Sequence, residues 1–429
     1  MENHFQRICR SKCLLSSLVF LLHFGFNNAM NVLKKRMQSE TNSSFSGCTE
    51  RTRKLGGLCN LILLLGAGCL PAQAQDRLTV TLGARELWDS NFARSPDEDS
   101  EHYTHSTAAL KFNQSLSKQN ILLAVTGHDY RYAQRDDLDE SFYEGQASWR
   151  SAWSSRFKTS VSWARDAYPV DRLEFQGKDV VARDDFTGQV TVGGGGNLGF
   201  TLGAREIAQT HSNDQREYLD YDDTEGFVAV TYTTANESFL SLRMREGERE
   251  YQNLASSEEL LLNFEYRQLE LEGFWALTRK TQLGFTLGRF DRDGQVNAGT
   301  GTQALIDFDW AMTEKLKLSL QYSHSEPAVG ESSDSPSDIR GSKITLAWDP
   351  SDKWMLSMSA GYSTLKYIEL GNEPARDETV TSFSPFTVTY LFSETLSVHM
   401  NSQWVDRESP LVYRDYDYAL ASFGVTLIF

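Results

Sequence analysis

The sequence predicts an all-β protein: a transmembrane antiparallel barrel of the outer-membrane type, with about 18 strands and a range of 16–18. Three observations carry this. Apolar and polar residues alternate through most of residues 78–429, and alternation places one kind on each face of a strand. The connections between these segments are short and long in turn, as at the two ends of a barrel. The chain ends on Phe429, in phase with Leu427, Val425, Phe423 and Ala421.

Composition removes the competing classes. The 429 residues are 40 % hydrophobic and 23 % charged, with a formal net charge of -16 and mean hydropathy of -0.44. After residue 75 no run approaches the ~20 apolar residues of a spanning helix. An acidic chain repels phosphate, so nucleic acid is not expected as a partner. With 24 Phe, 17 Tyr and 9 Trp the chain does not have the composition of a disordered protein.

Residues 1–74 read as an N-terminal extension plus a secretory signal. Arg51, Arg53 and Lys54 precede an apolar stretch from about Leu58 to Leu70, and Pro71-Ala72-Gln73-Ala74 places cleavage after Ala74. Gly66-Ala67-Gly68-Cys69 departs from a lipobox, which usually has Leu where Gly66 stands. A further apolar run at 13–26 lies upstream of Met30 and Met37. It fits a translation start at one of these methionines, or an uncleaved anchor. All five cysteines (Cys9, Cys13, Cys48, Cys59 and Cys69) fall in this segment, so no disulfide or Cys-held metal is expected beyond it. Residues 75–429 then form the barrel domain. Without 9 basic and 3 acidic residues of the leader, that domain carries 33 Lys+Arg and 55 Asp+Glu, a net -22 over 355 residues.

The strands follow in order. Leu78, Val80, Leu82 and Ala84 open the first. Later stripes include Leu198–Ala204, Leu283–Leu287, Leu316–Tyr322 and Trp354–Tyr362. Many segments run 9–12 residues, the length that crosses a bilayer at a tilt, whereas sandwich and jelly-roll strands average about 5–6. Short turns are expected at Leu116–Gln119, Ala152–Arg156, Thr233–Glu237, Met312–Lys315, Pro350–Lys353 and Phe392–Thr395. Long loops are expected at Asn91–His102, Tyr132–Glu140, Asp166–Asp185, Gln209–Asp223, Glu246–Glu258, Ser325–Arg340, Ile368–Asp377 and Asp406–Tyr416. Gly193–Gly196 reads as a tight turn. Leu260–Leu277 changes phase near Arg267–Gln268, as a bulge or two short strands would. Trp88, Trp149, Trp153, Trp163, Trp275, Trp310, Trp348, Trp354 and Trp404 gather at segment ends, where an interfacial girdle lies. Phe429, Leu427, Val425 and Phe423 read as the signal that barrel-assembly machinery recognises.

No catalytic constellation emerges, and the protein is read as a non-enzyme without cofactor or metal. His102 and His105 lack a third ligand partner. His128-Asp129 is the nearest thing to a base and its orienter. The acidic runs Asp97–Asp99 and Asp220–Asp223 lack EF-hand spacing and read as solvated loops. The polar stripes are more informative. Arg85, Lys111, Lys158, Arg205, Arg243, Arg245, Arg267, Arg289 and Lys317 are expected to face the lumen, with Glu265, Glu270, Glu272, Asp307 and Asp309. A charge turned to lipid at mid-bilayer costs ~2–4 kcal/mol. Such a wall either passes polar solutes or closes on itself through salt bridges.

Trp88-Asp89-Ser90-Asn91-Phe92-Ala93-Arg94, Leu110–Gln119, Asp129-Tyr130-Arg131-Tyr132 and Leu138-Asp139 together resemble the exopolysaccharide-operon outer-membrane proteins called EpsL, in the β-barrel porin type 2 group. Asp89, Asn91 and Arg94 match that family's opening motif, while Ser90 and the position of Phe92 depart from it. The resemblance implies a bacterial outer-membrane barrel acting in exopolysaccharide secretion, as conduit or accessory porin, and no catalytic residues. It implies lipid and lipopolysaccharide around the barrel, and exopolysaccharide and periplasmic export components as partners. A general diffusion porin for small solutes, and a closed barrel acting as a surface receptor or polysaccharide binder, stay open beside it.

Overall fold

The computed structural model describes residues 78–429 apart from 98, 194–196, 254–260, 333–335 and 370–373. The expected leader and its cleavage site lie outside them, as do most of the Gly193–Gly196 turn and part of Asp97–Asp99.

Eighteen strands make one sheet. They are β1 (Leu78–Asp89), β2 (Glu101–Leu116), β3 (Gln119–Tyr132), β4 (Glu140–Ala152), β5 (Phe157–Pro169), β6 (Val180–Gly193), β7 (Leu198–His211), β8 (Tyr221–Thr233) and β9 (Phe239–Tyr251). The second half is β10 (Phe264–Ala276), β11 (Thr281–Gly294), β12 (Gly299–Ala311), β13 (Leu316–Ser325), β14 (Asp338–Ser351), β15 (Trp354–Tyr367), β16 (Arg376–Leu391), β17 (Leu396–Glu408) and β18 (Tyr416–Ile428). Each strand pairs antiparallel with its sequence neighbours. β1 also pairs with β18, from Thr81↔Ile428 to Asp89↔Leu420. The sheet is therefore a closed barrel without an edge, so no strand leaves a row of backbone groups unpaired toward lipid.

The two faces separate cleanly. In β8, Tyr221, Asp223, Glu225, Phe227 and Ala229 are buried, and the residues between them are exposed. The exposed set near the short turns forms an apolar belt: Leu198, Phe200 and Leu202 on β7, Val228 and Val230 on β8, and Leu240, Leu242 and Met244 on β9. Trp275, Trp310, Trp348 and Trp354 sit on the same outer face at the short-turn ends. Phe423, Val425 and Leu427 continue the belt on β18, and Phe429 follows directly after it. At Gly145 the Trp163 indole lies where a Cβ would stand, so the missing side chain is replaced by a neighbouring ring. Leu202 is 66 % exposed on this belt. Leu202→Arg should lower unfolding stability in lipid by ~2–4 kcal/mol, checked by urea titration in vesicles; no loss would place this face away from the acyl chains.

The outer face changes character above the belt. On β9 the stripe Leu240, Leu242, Met244 continues as Glu246, Glu248 and Glu250. On β10 Trp275, Leu271 and Leu269 continue as Arg267 and Glu265, and on β11 Leu283, Phe285 and Leu287 continue as Arg289, Asp291 and Asp293. Glu265, Arg267 and Arg289 therefore lie on the outer wall, not in the lumen. Arg267, 71 % exposed, pairs with Glu246 at 2.9 Å in water. The reason is height: strands of 13–14 residues outrun the apolar belt, so outward charge there meets solvent. The same inversion explains the phase change near Arg267–Gln268. β10 is one unbroken strand whose inner face turns aromatic, with Phe264 and Tyr266, where its outer face turns charged. Longer strands also shorten the loops: β5 runs to Pro169 and β6 starts at Val180. The register shifts that do occur lie at Trp348/Ser351, Ser357/Ser359 and Phe383/Phe386. The last brackets Pro385, which has no amide to offer the ladder.

Two loops fold inward. Between β13 and β14, Ala328 is 1 % exposed among Ile207, Tyr221, Tyr251 and Phe264, which belong to β7–β10. This strap thus reaches across the intervening strands on the inside of the wall. Between β5 and β6, the Arg172 guanidinium lies 5.3 Å from the Phe92 ring and 6.0 Å from that of Tyr132, and the Gln176 amide donates to the Ala93 carbonyl at 2.9 Å.

Candidate functional site: the lumen wall

Arg85, Lys111, Lys158, Arg205, Arg243, Arg245, Lys317, Glu270, Glu272, Asp307 and Asp309 occupy inward positions of their strands. The centre of the wall is a ladder of alternating charge across five strands. The Arg205 Nε donates to Asp185 at 2.9 Å, and its Nη1 lies 3.8 Å from Glu225. Arg245 stands 3.8 Å from Glu225 and 2.6 Å from Glu270. Arg243 stands 3.3 Å from Glu270 and 3.6 Å from Glu272. Cross-strand neighbours on one face lie about 4.5–5.5 Å apart, which is why single-residue register brings each Arg to its acid. Asp307 accepts from the Gln321 amide at 2.8 Å, and Asp309 from the Ser319 hydroxyl.

The strap is fastened to this ladder. Arg249 pairs with Asp223 at 2.9 Å and with Glu331 of the strap at 2.6 Å. Arg292 donates to the Glu326 and Pro327 carbonyls at 2.8 and 3.3 Å, and its guanidinium lies 4.1 Å from the Phe290 ring. A recess of about 300 Å³ opens between strap and wall, lined among others by Arg183, Tyr266, Arg292 and Gln303.

A chain of polar side chains, hydrogen-bonded from Arg85 to His128, crosses β1–β4. The Arg85 Nη2 donates to His105 Nδ1 at 3.1 Å, His105 Nε2 lies 3.0 Å from His128 Nδ1, and His128 Nε2 lies 3.3 Å from Glu144. Because an arginine only donates, His105 accepts at Nδ1 and donates at Nε2, which fixes the tautomers of both rings. The rings stack with Tyr130 and Phe142, His105 and Tyr130 being 4.1 Å apart.

The motif residues near the start build the barrel seam. Arg94 pairs with Asp89 through two bonds of 2.9 and 2.7 Å and also donates to the Asn91 carbonyl. Asn91 donates to the Ser95 and Asp417 carbonyls at 2.7 and 3.0 Å, and the Ala419 amide donates to Ser90 Oγ at 2.8 Å. Arg94 adopts φ +54° and covers the Tyr418 ring at 3.6 Å. Burial works against its charge, but the Asp89 carboxylate outweighs burial and holds the guanidinium above its ordinary range. Tyr132 packs with Phe92 and Tyr103, and Tyr130 with Tyr103. Asp129 points outward, paired with Arg131.

His128 and Asp129 thus stand on opposite faces, as do His102 and His105, and neither pair can act as a unit. Asp220 is occupied by the His211 ring at 2.8 Å and Asp223 by Arg249 and Tyr266. Among the described residues no group of three or more His, Cys, Asp or Glu is placed to hold a metal ion.

Several inward groups escape sequence reading. Glu378, with its side chain fully buried, receives Arg376, Arg407 and Arg414 at Nε distances of 2.8, 2.9 and 2.7 Å. Arg183, Arg249, Arg292 and Glu225 share the parity of neighbouring lumen residues, and that parity was the available signal.

Fold and wall together define a class: a closed outer-membrane-type β-barrel with an apolar outer belt and a charged, polar lumen. Similar solved structures include OccK2 (OpdF) from Pseudomonas aeruginosa, at 13 % identity and TM-score 0.49, covering 82 % of this chain and 98 % of that one. Another is a BenF-like porin from Pseudomonas fluorescens Pf-5, at 11 %, 0.49, 82 % and 98 %. A third is outer membrane protein OpdK from Pseudomonas aeruginosa, at 11 %, 0.47, 82 % and 100 %. No protein-family model and no curated protein matches the sequence.

Proposed function

We propose that this protein is a bacterial outer-membrane porin that passes small hydrophilic solutes. The lumen wall carries the argument. Its charges are held in a ladder from Asp185 to Glu272 along one side instead of being removed from the lumen. Eighteen strands about 4.8 Å apart and tilted by about 40° enclose a backbone cylinder of roughly 18 Å radius, enough for an aqueous path inside the side chains. The strap and the β5–β6 loop take up part of that width, which suits small solutes better than a polymer chain. Lipid, lipopolysaccharide and the barrel-assembly machinery are the surroundings this reading requires, with Phe429 as the assembly signal.

The exopolysaccharide reading draws on Asp89, Asn91 and Arg94. Those residues bond to one another and to β18, so their presence speaks for a seam and not for a cargo. One paired experiment separates the readings. Purified protein in planar bilayers should give discrete conductance steps, and gene deletion should leave extracellular polysaccharide at its normal level. Persistent zero conductance would overturn the porin reading. Loss of polysaccharide on deletion would restore the conduit.

A further inference from the structure

The ladder of paired charge does not extend into the short-turn end of β2–β6. There the inner face carries Lys111 on β2, Arg150 on β4 and Lys158 on β5, with Lys118 in the turn between β2 and β3. The inward acidic side chains that border this stretch are already engaged, Glu144 facing His128 and Asp185 holding Arg205. Among the described residues none of the four cations has a side-chain ion pair or hydrogen bond. The contrast lies within one wall: each arginine of the ladder faces a carboxylate, and these four face none.

Arg150 stands opposite Ser160, and Lys158 opposite Ala152, so two cations sit diagonally on adjacent strands. Like charges so placed repel unless a counter-charge is supplied. The surface around them is concave, a recess of about 660 Å³ within the size range of small-ligand sites. Lys118, Arg150 and Lys158 line it with Asn120, Ser160 and Gln189. Three cations converging from two strands and a turn suit a compact dianion with several acceptor oxygens, which carboxylates are not. The neutral hydroxyl and amide groups beside them suit the hydroxyls of a sugar. We propose that this recess is a binding subsite for sugar phosphates. It adds a substrate class to the porin reading and rests on that reading only for its place on a solute path.

The test is equilibrium binding to the full-length protein in detergent, which does not depend on conduction. Glucose 6-phosphate should release heat on titration, and R150Q/K158Q should weaken its binding by at least about tenfold. Lys353→Gln, which removes a cation from the remote β14–β15 turn, should leave it unchanged. Retained heat-modifiable gel mobility certifies the variant barrels. Equal affinity for inorganic phosphate would overturn the sugar component, and equal affinity for glucuronate the phosphate component. Binding unaltered by R150Q/K158Q would overturn the location. Zero conductance with intact binding would instead sink the porin reading and leave the subsite standing.

Discussion

Excising residues 326–331, with Ser325 joined to Ser332 by a glycine-rich link, should raise single-channel conductance several-fold and admit larger solutes. Beside the hydrogen bonds that Arg292, Asn297, Tyr251 and Gln209 make with its backbone, the strap is anchored by an apolar contact and an ionic one. Ala328 fills a cluster of Ile207, Tyr221, Tyr251 and Phe264, and Glu331 holds Arg249 at 2.6 Å. Neither belongs to the strand ladder, so the barrel should survive the excision. Ala328→Asp is a milder route to the same end, because an unpaired carboxylate in that cluster costs several kcal/mol and releases the loop instead of the wall. Conductance steps in planar bilayers check both. An unchanged step size in the excised protein would mean that the strap does not narrow the path.

Glu378→Gln should be the most destabilising single substitution in the wall, by ~3–5 kcal/mol. The carboxylate is fully buried and serves Arg376, Arg407 and Arg414 at once, with the Ser409 hydroxyl at 3.0 Å. An amide keeps the shape and removes the charge, leaving three guanidinium groups around a neutral side chain. Arg414 lies in the β17–β18 loop, so that loop should also become protease-sensitive. Urea unfolding in vesicles, followed by tryptophan fluorescence, gives the magnitude. A loss below about 1 kcal/mol would put the cluster among ordinary surface pairs.

The barrel was legible because its pattern is local. Alternation in Leu316–Tyr322 or Trp354–Tyr362 needs no knowledge of distant residues, and lipid punishes any slip of register. The strands and the side on which Arg205, Arg243 and Asp307 lie followed from it. Glu265, Arg267 and Arg289 break the equation of charge with lumen, for each shares the parity of its own apolar stripe, Arg289 with Leu283, Phe285 and Leu287. Parity is the dependable signal, and charge is informative only within the height of the lipid. The strap and the Glu378 cluster lay beyond reach for a different reason. Arg249 meets Glu331 and Arg407 meets Glu378 across 82 and 29 residues, and no periodicity encodes such meetings.

The uneven placement of charge along the barrel axis has an electrical consequence. The long-loop end carries Glu246, Glu248, Glu250, Asp291 and Asp293 on its outer rim, while at the short-turn end Lys118, Arg150, Arg156, Lys158, Arg279, Lys280, Lys315 and Lys353 outnumber Glu237, Glu314, Asp349, Asp352 and Glu394. At physiological salt the Debye length is about 8 Å, so each mouth sets its own ionic atmosphere independently of the other. Cations then accumulate at one entrance and anions at the other. Under the porin proposal, a pore of this kind is expected to act as a diode. Its current–voltage curve should bend, passing more current at one polarity than at the other, and straighten as salt rises toward 1 M, where the Debye length falls to about 3 Å.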